Sequence, residues 1–243
     1  MNTTHLAMWS GPRNISTAML RSFESRGDCK VHDEPLYAHY LAATGLDHPG
    51  AEEIVRVHES DWRRVVAELC APLSNGVALY YQKHMAHHLL PALGRDWLDR
   101  LDHAFLIRDP AAMLISLHKV TPGPRVEDTG LPQQLELYRS LREAGKRPPV
   151  IDSRDVLENP RALLTALCDR LGIEFKESML AWAPGPRPTD GCWAPHWYDN
   201  VYASTGFGTP KPRTEELPGE LESVLAACQP AYDELYNERL TAN

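Results

Sequence analysis

A tight turn carrying one cation lies between an apolar run and a helical pattern near the start of the chain. Residues 6–9 are apolar, a Gly-Pro pair and Arg13 follow, and Ser16 and Thr17 open a stretch with apolar residues at helical spacing. Backbone N–H groups at a helix N-terminus have no partner within the helix and, together with the helix dipole, favour an anion. We therefore predict a phosphate-binding turn. Its residues are Pro12, Arg13, Asn14, Ile15, Ser16 and Thr17.

The residue types in this turn suit phosphate chemistry. Arg13 supplies a fixed positive charge, and Ser16 and Thr17 supply hydroxyl donors. The usual Gly-Lys-Ser/Thr ending of a nucleotide-binding P-loop is absent, because Ile15 and Ser16 stand where Gly and Lys would be. The alternative is an ordinary N-capped helix that follows a first strand.

A second segment, His103–Pro110, has the same character. An apolar run typical of a buried strand ends in the charged pair Arg108-Asp109, and Pro110 marks a helix start. Ser116 lies two turns into the helix predicted over residues 111–119. An arginine at a strand end and a serine on the next helix can both reach one phosphate, so we predict that Arg108 and Ser116 share an anion.

On these residues the chain resembles the P-loop sulfotransferase family. The family's loop for the 5′-phosphosulfate is similar to residues 12–17, and its Arg-x-Pro…Ser element for the 3′-phosphate is similar to Arg108-Asp109-Pro110…Ser116. Residues 150–160 and 171–173 are similar to the strand and helix that follow in the family. The resemblance implies 3′-phosphoadenosine 5′-phosphosulfate (PAPS) as the sulfuryl donor, adenosine 3′,5′-bisphosphate as its product, and a small-molecule hydroxyl or amine as the acceptor, without a metal.

Short strands alternate with helical patterns along the chain. The predicted strands span residues 5–9, 30–33, 77–82, 103–107 and 149–152. Predicted helices include 62–69, 131–144, 160–171 with Gly172 as its C-cap, and a final helix near 218–240. This alternation predicts an α/β fold with a mostly parallel sheet, in which ligands bind at the carboxyl ends of the strands.

The resemblance specifies the architecture further. It implies a three-layer P-loop-type fold with a central, mostly parallel five-stranded sheet and helices on both faces. We predict a single sulfotransferase-like domain over residues 1–243, with a loop-rich aromatic segment near residues 182–214. The tryptophans and tyrosines of that segment either form core or cover an acceptor pocket.

A carboxylate follows the second predicted strand. Glu34 comes after Asp33 at the carboxyl end of that strand, where it could take a proton from an acceptor hydroxyl. In many bacterial members of the family a glutamate after this strand is the proposed general base, and Glu34 matches that position. The alternative is that Asp33 caps a helix and Glu34 is an acid of its first turn.

A lysine and three histidines follow the third predicted strand. Animal members of the family carry Lys-x-His here, with the cation on the sulfate bridge and the histidine as base. Lys83 fits, and the histidine is displaced to His84, or to His87 and His88. We predict Lys83 and His84 as catalytic residues that stabilise charge on the leaving phosphate or act as base. The alternatives are a partly exposed helix start and a metal pair without an evident third ligand.

The segment Gly206–Arg213 falls where the family has a glycine-rich element that closes over the 3′-phosphate. Lys211 and Arg213 could reach a phosphate from such a loop. The alternative is a plain surface loop.

Composition excludes some classes of protein. The net charge of −8 argues against a nucleic-acid partner, and no apolar run approaches the length of about 20 residues that spans a membrane. No signal segment precedes the first strand, so we predict a cytoplasmic protein. The five scattered cysteines predict buried thiols rather than disulfides or a zinc site. The oligomeric state does not follow from the sequence.

Two other functions fit part of this pattern. One is a P-loop phosphotransferase that uses ATP, against which stand the missing Lys-Ser/Thr ending and the lack of an acidic strand for Mg²⁺. The other is a non-catalytic binder of a phosphorylated nucleotide. Ile15 favours that second alternative, because its Cβ narrows the loop where backbone meets phosphate.

Overall fold

The computed structural model describes residues 3–73, 76–210 and 214–241. Its five strands form one parallel sheet in the order β2-β3-β1-β4-β5, surrounded by helices, which confirms the predicted fold class. The strands are β1 (Thr4–Ser10), β2 (Cys29–Asp33), β3 (Leu79–Met85), β4 (Asp102–Ile107) and β5 (Val150–Asp152). All five match predicted strands, but β3 continues to Met85 instead of ending at residue 82.

Eleven α-helices connect and flank these strands in the described residues. They are α1 (Ser16–Glu24), α2 (Tyr37–Thr44), α3 (Ala51–Val57), α4 (Trp62–Leu69), α5 (Pro110–His118), α6 (Leu131–Glu143), α7 (Ser153–Glu158), α8 (Pro160–Leu171), α9 (Ala194–Trp197), α10 (Asp199–Tyr202) and α11 (Glu222–Asn237). Short 3₁₀ turns lie at Ala86–His88, Asp96–Arg100, Val126–Thr129, Glu177–Leu180 and Gly219–Leu221.

Local capping signals explain where the predicted helices begin and end. The Asp109 and Asn159 side chains accept hydrogen bonds from the backbone N–H groups of Ala112 (2.8 Å) and Ala162 (3.3 Å) at the starts of α5 and α8. Such N-caps each stabilise a helix by about 1 kcal/mol. Gly172 ends α8 with φ 66°, as predicted, because glycine adopts this left-handed conformation without a Cβ penalty.

The first of two compact units comprises Met1–Met8, Thr17–Asp102 and Lys176–Gly206. Strands β2 and β3 pair in parallel, and their register sets Asp33 beside Lys83. Side chains of α2 and α3 pack with Trp193 and Tyr198 in a buried cluster. The aromatic segment therefore contributes to the core of this unit.

The second compact unit comprises Trp9–Ser16, His103–Phe175 and Phe207–Asn243. Strands β4 and β5 pair in parallel. Helix α11 packs against α5 and α6, and the hydroxyl of its Tyr232 donates to the buried Asp152 at 3.0 Å. The single domain predicted over residues 1–243 stays a prediction.

All five cysteines are free thiols. Cys70, Cys168 and Cys228 are buried as predicted, whereas Cys29 and Cys192 are half-buried, so the prediction of buried thiols is wrong for these two. None of the helices in the described part of the chain combines the length and the apolar character needed to cross a membrane.

Candidate active site

The turn between β1 and α1 adopts a strained backbone. Arg13 and Ile15 have φ values of 60° and 57°, in the left-handed region that favours glycine. A β-branched residue is an outlier there, and the conformation costs roughly 1–2 kcal/mol. Such strain persists where the surrounding structure enforces it, often at functional sites. Ile15 thus takes up a backbone conformation suited to glycine, although it carries a Cβ.

Two contacts within the second unit hold this turn. The Asn14 side chain is buried, and its Nδ2 donates to the Leu106 carbonyl of β4 at 3.2 Å. The backbone of Gly11 lies so close to the backbone of Thr129 that a Cβ on Gly11 would stand 2.2 Å from the Thr129 carbonyl oxygen. The turn therefore needs glycine at this position for close approach.

The structure brings together three residues that the sequence placed in two separate elements. The Arg13 Nε donates to the Ser116 Oγ at 3.0 Å. The Arg108 guanidinium donates through Nη1 to the carbonyl oxygen of Arg13. Arg108 thus lies beside the strained turn and stabilises the left-handed backbone at Arg13.

The two arginines make an electropositive cluster. Within the described residues, neither guanidinium forms an ion pair with a carboxylate. Burial lowers the pKa of both arginines, and the charge of Arg13 lowers the pKa of Arg108 further, although Asp109 and Asp152 oppose that effect. The Asn14 Oδ1 is also buried, and it has no hydrogen-bond partner among the residues that the structure describes. Partly buried like charges are costly, so a phosphate would offset their mutual repulsion.

A second cluster, in the first unit, centres on Lys83 of β3. The Lys83 Nζ lies 2.8 Å from Asp33 Oδ1, 2.8 Å from Glu34 Oε1 and 2.6 Å from the Tyr198 hydroxyl. The side chains of Lys83 and Asp33 are each 1% exposed, and that of Glu34 is 11% exposed. An ammonium group has three N–H donors, so these three acceptors saturate Lys83. A contact between Lys83 and a sulfate bridge would require it to exchange one of them.

Glu34 reaches Lys83 through a strained backbone as well. Its φ is 43°, its N–H donates to the Lys83 carbonyl at 2.9 Å, and its carbonyl accepts from the Tyr37 N–H at 3.0 Å. Arg13, Ile15 and Glu34 are the non-glycine residues with positive φ in the described part of the chain. All three were predicted as site residues from the sequence.

The alternative role of Asp33 as a helix cap is wrong. Helix α2 starts only at Tyr37, with Leu36 at its N-cap and no side-chain cap. The Asp33 carboxylate instead binds Lys83 and accepts a hydrogen bond from the Tyr198 hydroxyl at 2.6 Å. Cross-strand register, rather than helix capping, determines its position.

The charges of this cluster act on one another. Burial raises the pKa of the Glu34 carboxyl, and Asp33 adds to the shift while Lys83 opposes it. Burial alone would lower the pKa of Lys83, but the charges of Asp33 and Glu34 outweigh it and raise that pKa well above its usual value. The cluster therefore combines a persistent ammonium with a carboxyl group that readily accepts a proton.

The structure separates His84 from this cluster. His84 follows Lys83 within β3, so the two side chains point to opposite faces of the sheet. The His84 Nε2 shares a hydrogen bond with Gln82 Oε1 at 3.2 Å. Sequence reasoning misplaced the end of β3, and the predicted alternative of a partly exposed helix start is wrong for His84, which lies in a strand and is 1% exposed.

His88 is also buried. Its ring stacks on Tyr37 and Tyr40, with centroid distances of 4.7 Å and 4.6 Å. His87 precedes His88 within the same 3₁₀ turn, Ala86–His88, and is half-buried. No group of three or more histidine, cysteine, aspartate or glutamate side chains in the described ranges could hold a metal ion.

Tyr198 is the site residue that sequence reasoning missed. It lies 115 positions from Lys83 in the chain, and the only signal for it was the aromatic character of residues 182–207. Lys211 and Arg213, predicted to reach the 3′-phosphate, lie outside the described residues.

Comparison with known proteins places the chain in a family. A family model described as "Sulfotransferase domain" matches residues 4–238. The chain therefore belongs to the sulfotransferase family, as predicted.

Two curated relatives come from Arabidopsis thaliana. They are branched-chain-amino-acid aminotransferase-like proteins 1 and 2, which are 39% and 37% identical over 226 residues. Each match covers 93% of this chain and 40% of the relative. The chain thus spans about two fifths of the length of these relatives.

Solved structures support the fold. A sulfotransferase domain from the curacin biosynthetic pathway is 15% identical with a TM-score of 0.53, and covers 93% of this chain and 98% of its own. A sulfotransferase from Alicyclobacillus acidocaldarius is 12% identical with a TM-score of 0.55, and covers 98% of this chain and 96% of its own. At these identities the likeness concerns the fold.

Proposed function

We propose that this protein is an enzyme that transfers a sulfuryl group from PAPS to a hydroxyl or amine of a small-molecule acceptor. Family membership supports a sulfotransferase-like activity. The observation that carries the proposal is the pair of half-buried guanidiniums, Arg13 and Arg108, which meet at a strained turn without a carboxylate partner among the described residues.

The residues of the turn fit an anionic nucleotide. Pro12, Arg13, Asn14, Ile15, Ser16 and Thr17 would hold the 5′-phosphosulfate end, with the N–H groups of the first turn of α1 as donors. Arg108 and Ser116 would hold the 3′-phosphate, and Lys211 and Arg213 stay candidates for the same phosphate. When bound, PAPS supplies the sulfuryl group, and the leaving phosphate carries the negative charge.

Glu34 is our proposed general base. It would accept the proton that the acceptor hydroxyl or amine loses, because burial raises its pKa and its side chain is the most exposed of the three charged members of the Lys83 cluster. Lys83 would hold the Glu34 carboxylate in place. His84, the other predicted base, faces the opposite side of the sheet and is less well placed for this role.

Ligand-induced thermal shifts test the donor. We expect adenosine 3′,5′-bisphosphate to raise the melting temperature more than AMP or ATP with Mg²⁺ does, because at equal concentration the ligand that binds the folded protein more tightly stabilises it more. A larger shift with ATP and Mg²⁺ would favour the phosphotransferase alternative instead. The cytoplasmic location predicted from the sequence stays a proposal.

A further inference from the structure

Tyr198 links the aromatic segment to the two carboxylates of the Lys83 cluster. We propose that Tyr198 is a positioning residue, whose hydroxyl selects Glu34 rather than Asp33 as the carboxylate that takes up a proton. The catalytic consequence rests on the proposed function. The selection itself is a property of this cluster and can be measured without a donor or an acceptor.

The two carboxylates differ in how many donors they have. Asp33 uses both oxygens: Oδ1 accepts from Lys83 at 2.8 Å, and Oδ2 accepts from the Tyr198 hydroxyl at 2.6 Å and from the Gly191 N–H at 3.4 Å. Glu34 accepts from Lys83 through Oε1, and its Oε2 has no partner within the described ranges. Donors to the charged form of a carboxylate favour that form. The proton is therefore directed to Glu34.

The hydroxyl of Tyr198 donates its proton to Asp33. Its oxygen accepts from the Lys83 ammonium at 2.6 Å and from the Trp193 Nε1 at 3.2 Å. A phenol oxygen has few acceptor positions beyond these two, so its single O–H points at Asp33 Oδ2. Burial, followed by the charge of Asp33, raises the pKa of Tyr198 well above its usual value, which keeps this donor protonated.

The fold fixes the segment that carries Tyr198. The Arg21 Nη2 of α1 forms an ion pair with Asp190 Oδ1 at 2.7 Å, and the Arg21 side chain is 1% exposed. The Thr189 hydroxyl donates to Glu24 Oε1 of the same helix at 2.6 Å. These contacts anchor the start of the segment, so Tyr198 is a built-in member of the cluster.

Carbon-13 NMR of labelled side-chain carboxyls tests the proposal on the unliganded protein. Glu34→Gln and Asp33→Asn identify the two resonances, and each is followed as a function of pH in wild type and in Tyr198→Phe. We expect the Glu34 resonance to carry the proton uptake in wild type. We call the ratio of protonated Glu34 to protonated Asp33 the partition. In Tyr198→Phe the partition should shift toward Asp33 by about tenfold, because Asp33 loses one hydrogen bond to its charged form.

A matched control removes another hydroxyl close to Lys83. Tyr81 lies two residues away on β3, and its hydroxyl is buried without a partner among the described residues. Tyr81→Phe should leave the partition unchanged. If Tyr198→Phe fails to fold, Trp193→Phe removes one of the donors that orient the hydroxyl and should give a smaller shift in the same direction.

An unchanged partition in Tyr198→Phe would overturn the proposal, as would proton uptake by Asp33 in wild type. A double variant strengthens the test: with Asp33→Asn in place, Tyr198→Phe should no longer alter the titration of Glu34. If the partition shifts as expected but no sulfuryl transfer is found, the proposed function fails and the selection stands.

Discussion

Replacing Arg108 with alanine should abolish the ability of the protein to distinguish a 3′-phosphate. The guanidinium is half-buried, donates to the Arg13 carbonyl, and has no ion-pair partner among the described residues. A charge-assisted hydrogen bond of this kind contributes about 1.5–3 kcal/mol, which corresponds to roughly tenfold to 150-fold in affinity. Arg108→Lys should lose part of that affinity, because a point charge cannot replace the planar fork.

Isothermal titration calorimetry with two nucleotides measures this effect. Wild type should bind adenosine 3′,5′-bisphosphate more tightly than AMP, and Arg108→Ala should bind both with similar affinity. Arg154→Ala is the matched control, since that side chain is 77% exposed and pairs with Glu158 on the surface. Equal affinity of wild type for the two nucleotides would refute the assignment of the 3′-phosphate to Arg108 and Ser116.

Three further variants or conditions test other parts of the account. Arg13→Ala should weaken nucleotide binding strongly and Arg13→Lys partly, with an unchanged melting temperature; unchanged affinity in calorimetry would make the turn a plain helix start. Gly11→Ala should lower stability by roughly 1–3 kcal/mol in denaturant unfolding, because the new Cβ meets a backbone carbonyl, whereas Gly219→Ala, with open space around it, should not. Burial raises the pKa of Glu34 in the folded protein, so its carboxylate is protonated at a pH above the pKa of an ordinary glutamate, which is about 4.3. As the pH is lowered, kcat/KM should therefore decline before the pH reaches that ordinary pKa. A decline that begins only at the pKa of an ordinary glutamate would contradict the role of Glu34 as base.

Local signals made the strands and the turn between β1 and α1 predictable. Apolar runs and capping residues are short-range features, so the five strands and the starts of α5 and α8 follow from a few adjacent residues each. The order of residues along the chain grouped Arg108 with Ser116, but it did not predict the hydrogen bond that joins Ser116 to Arg13.

Contacts between distant segments were not predictable in the same way. Tyr198 reaches Asp33 across 165 positions, and no motif spacing marks such a contact. The length of β3 decided the place of His84, because one residue along a strand reverses the face of the sheet. The left-handed backbone at Ile15 runs against the preference of a β-branched residue, so only the structure reveals it.

The most direct measurement of the central claim is sulfuryl transfer itself. Wild type and Glu34→Gln would be incubated with sulfur-35-labelled PAPS and a panel of small hydroxyl and amine compounds, and labelled products would be separated and counted. We expect wild type to sulfate at least one compound, and Glu34→Gln to keep its affinity for adenosine 3′,5′-bisphosphate while turnover falls by roughly 10²–10⁴. A wild-type protein that binds the bisphosphate yet labels no acceptor in the panel would contradict the claim that this chain is a sulfotransferase.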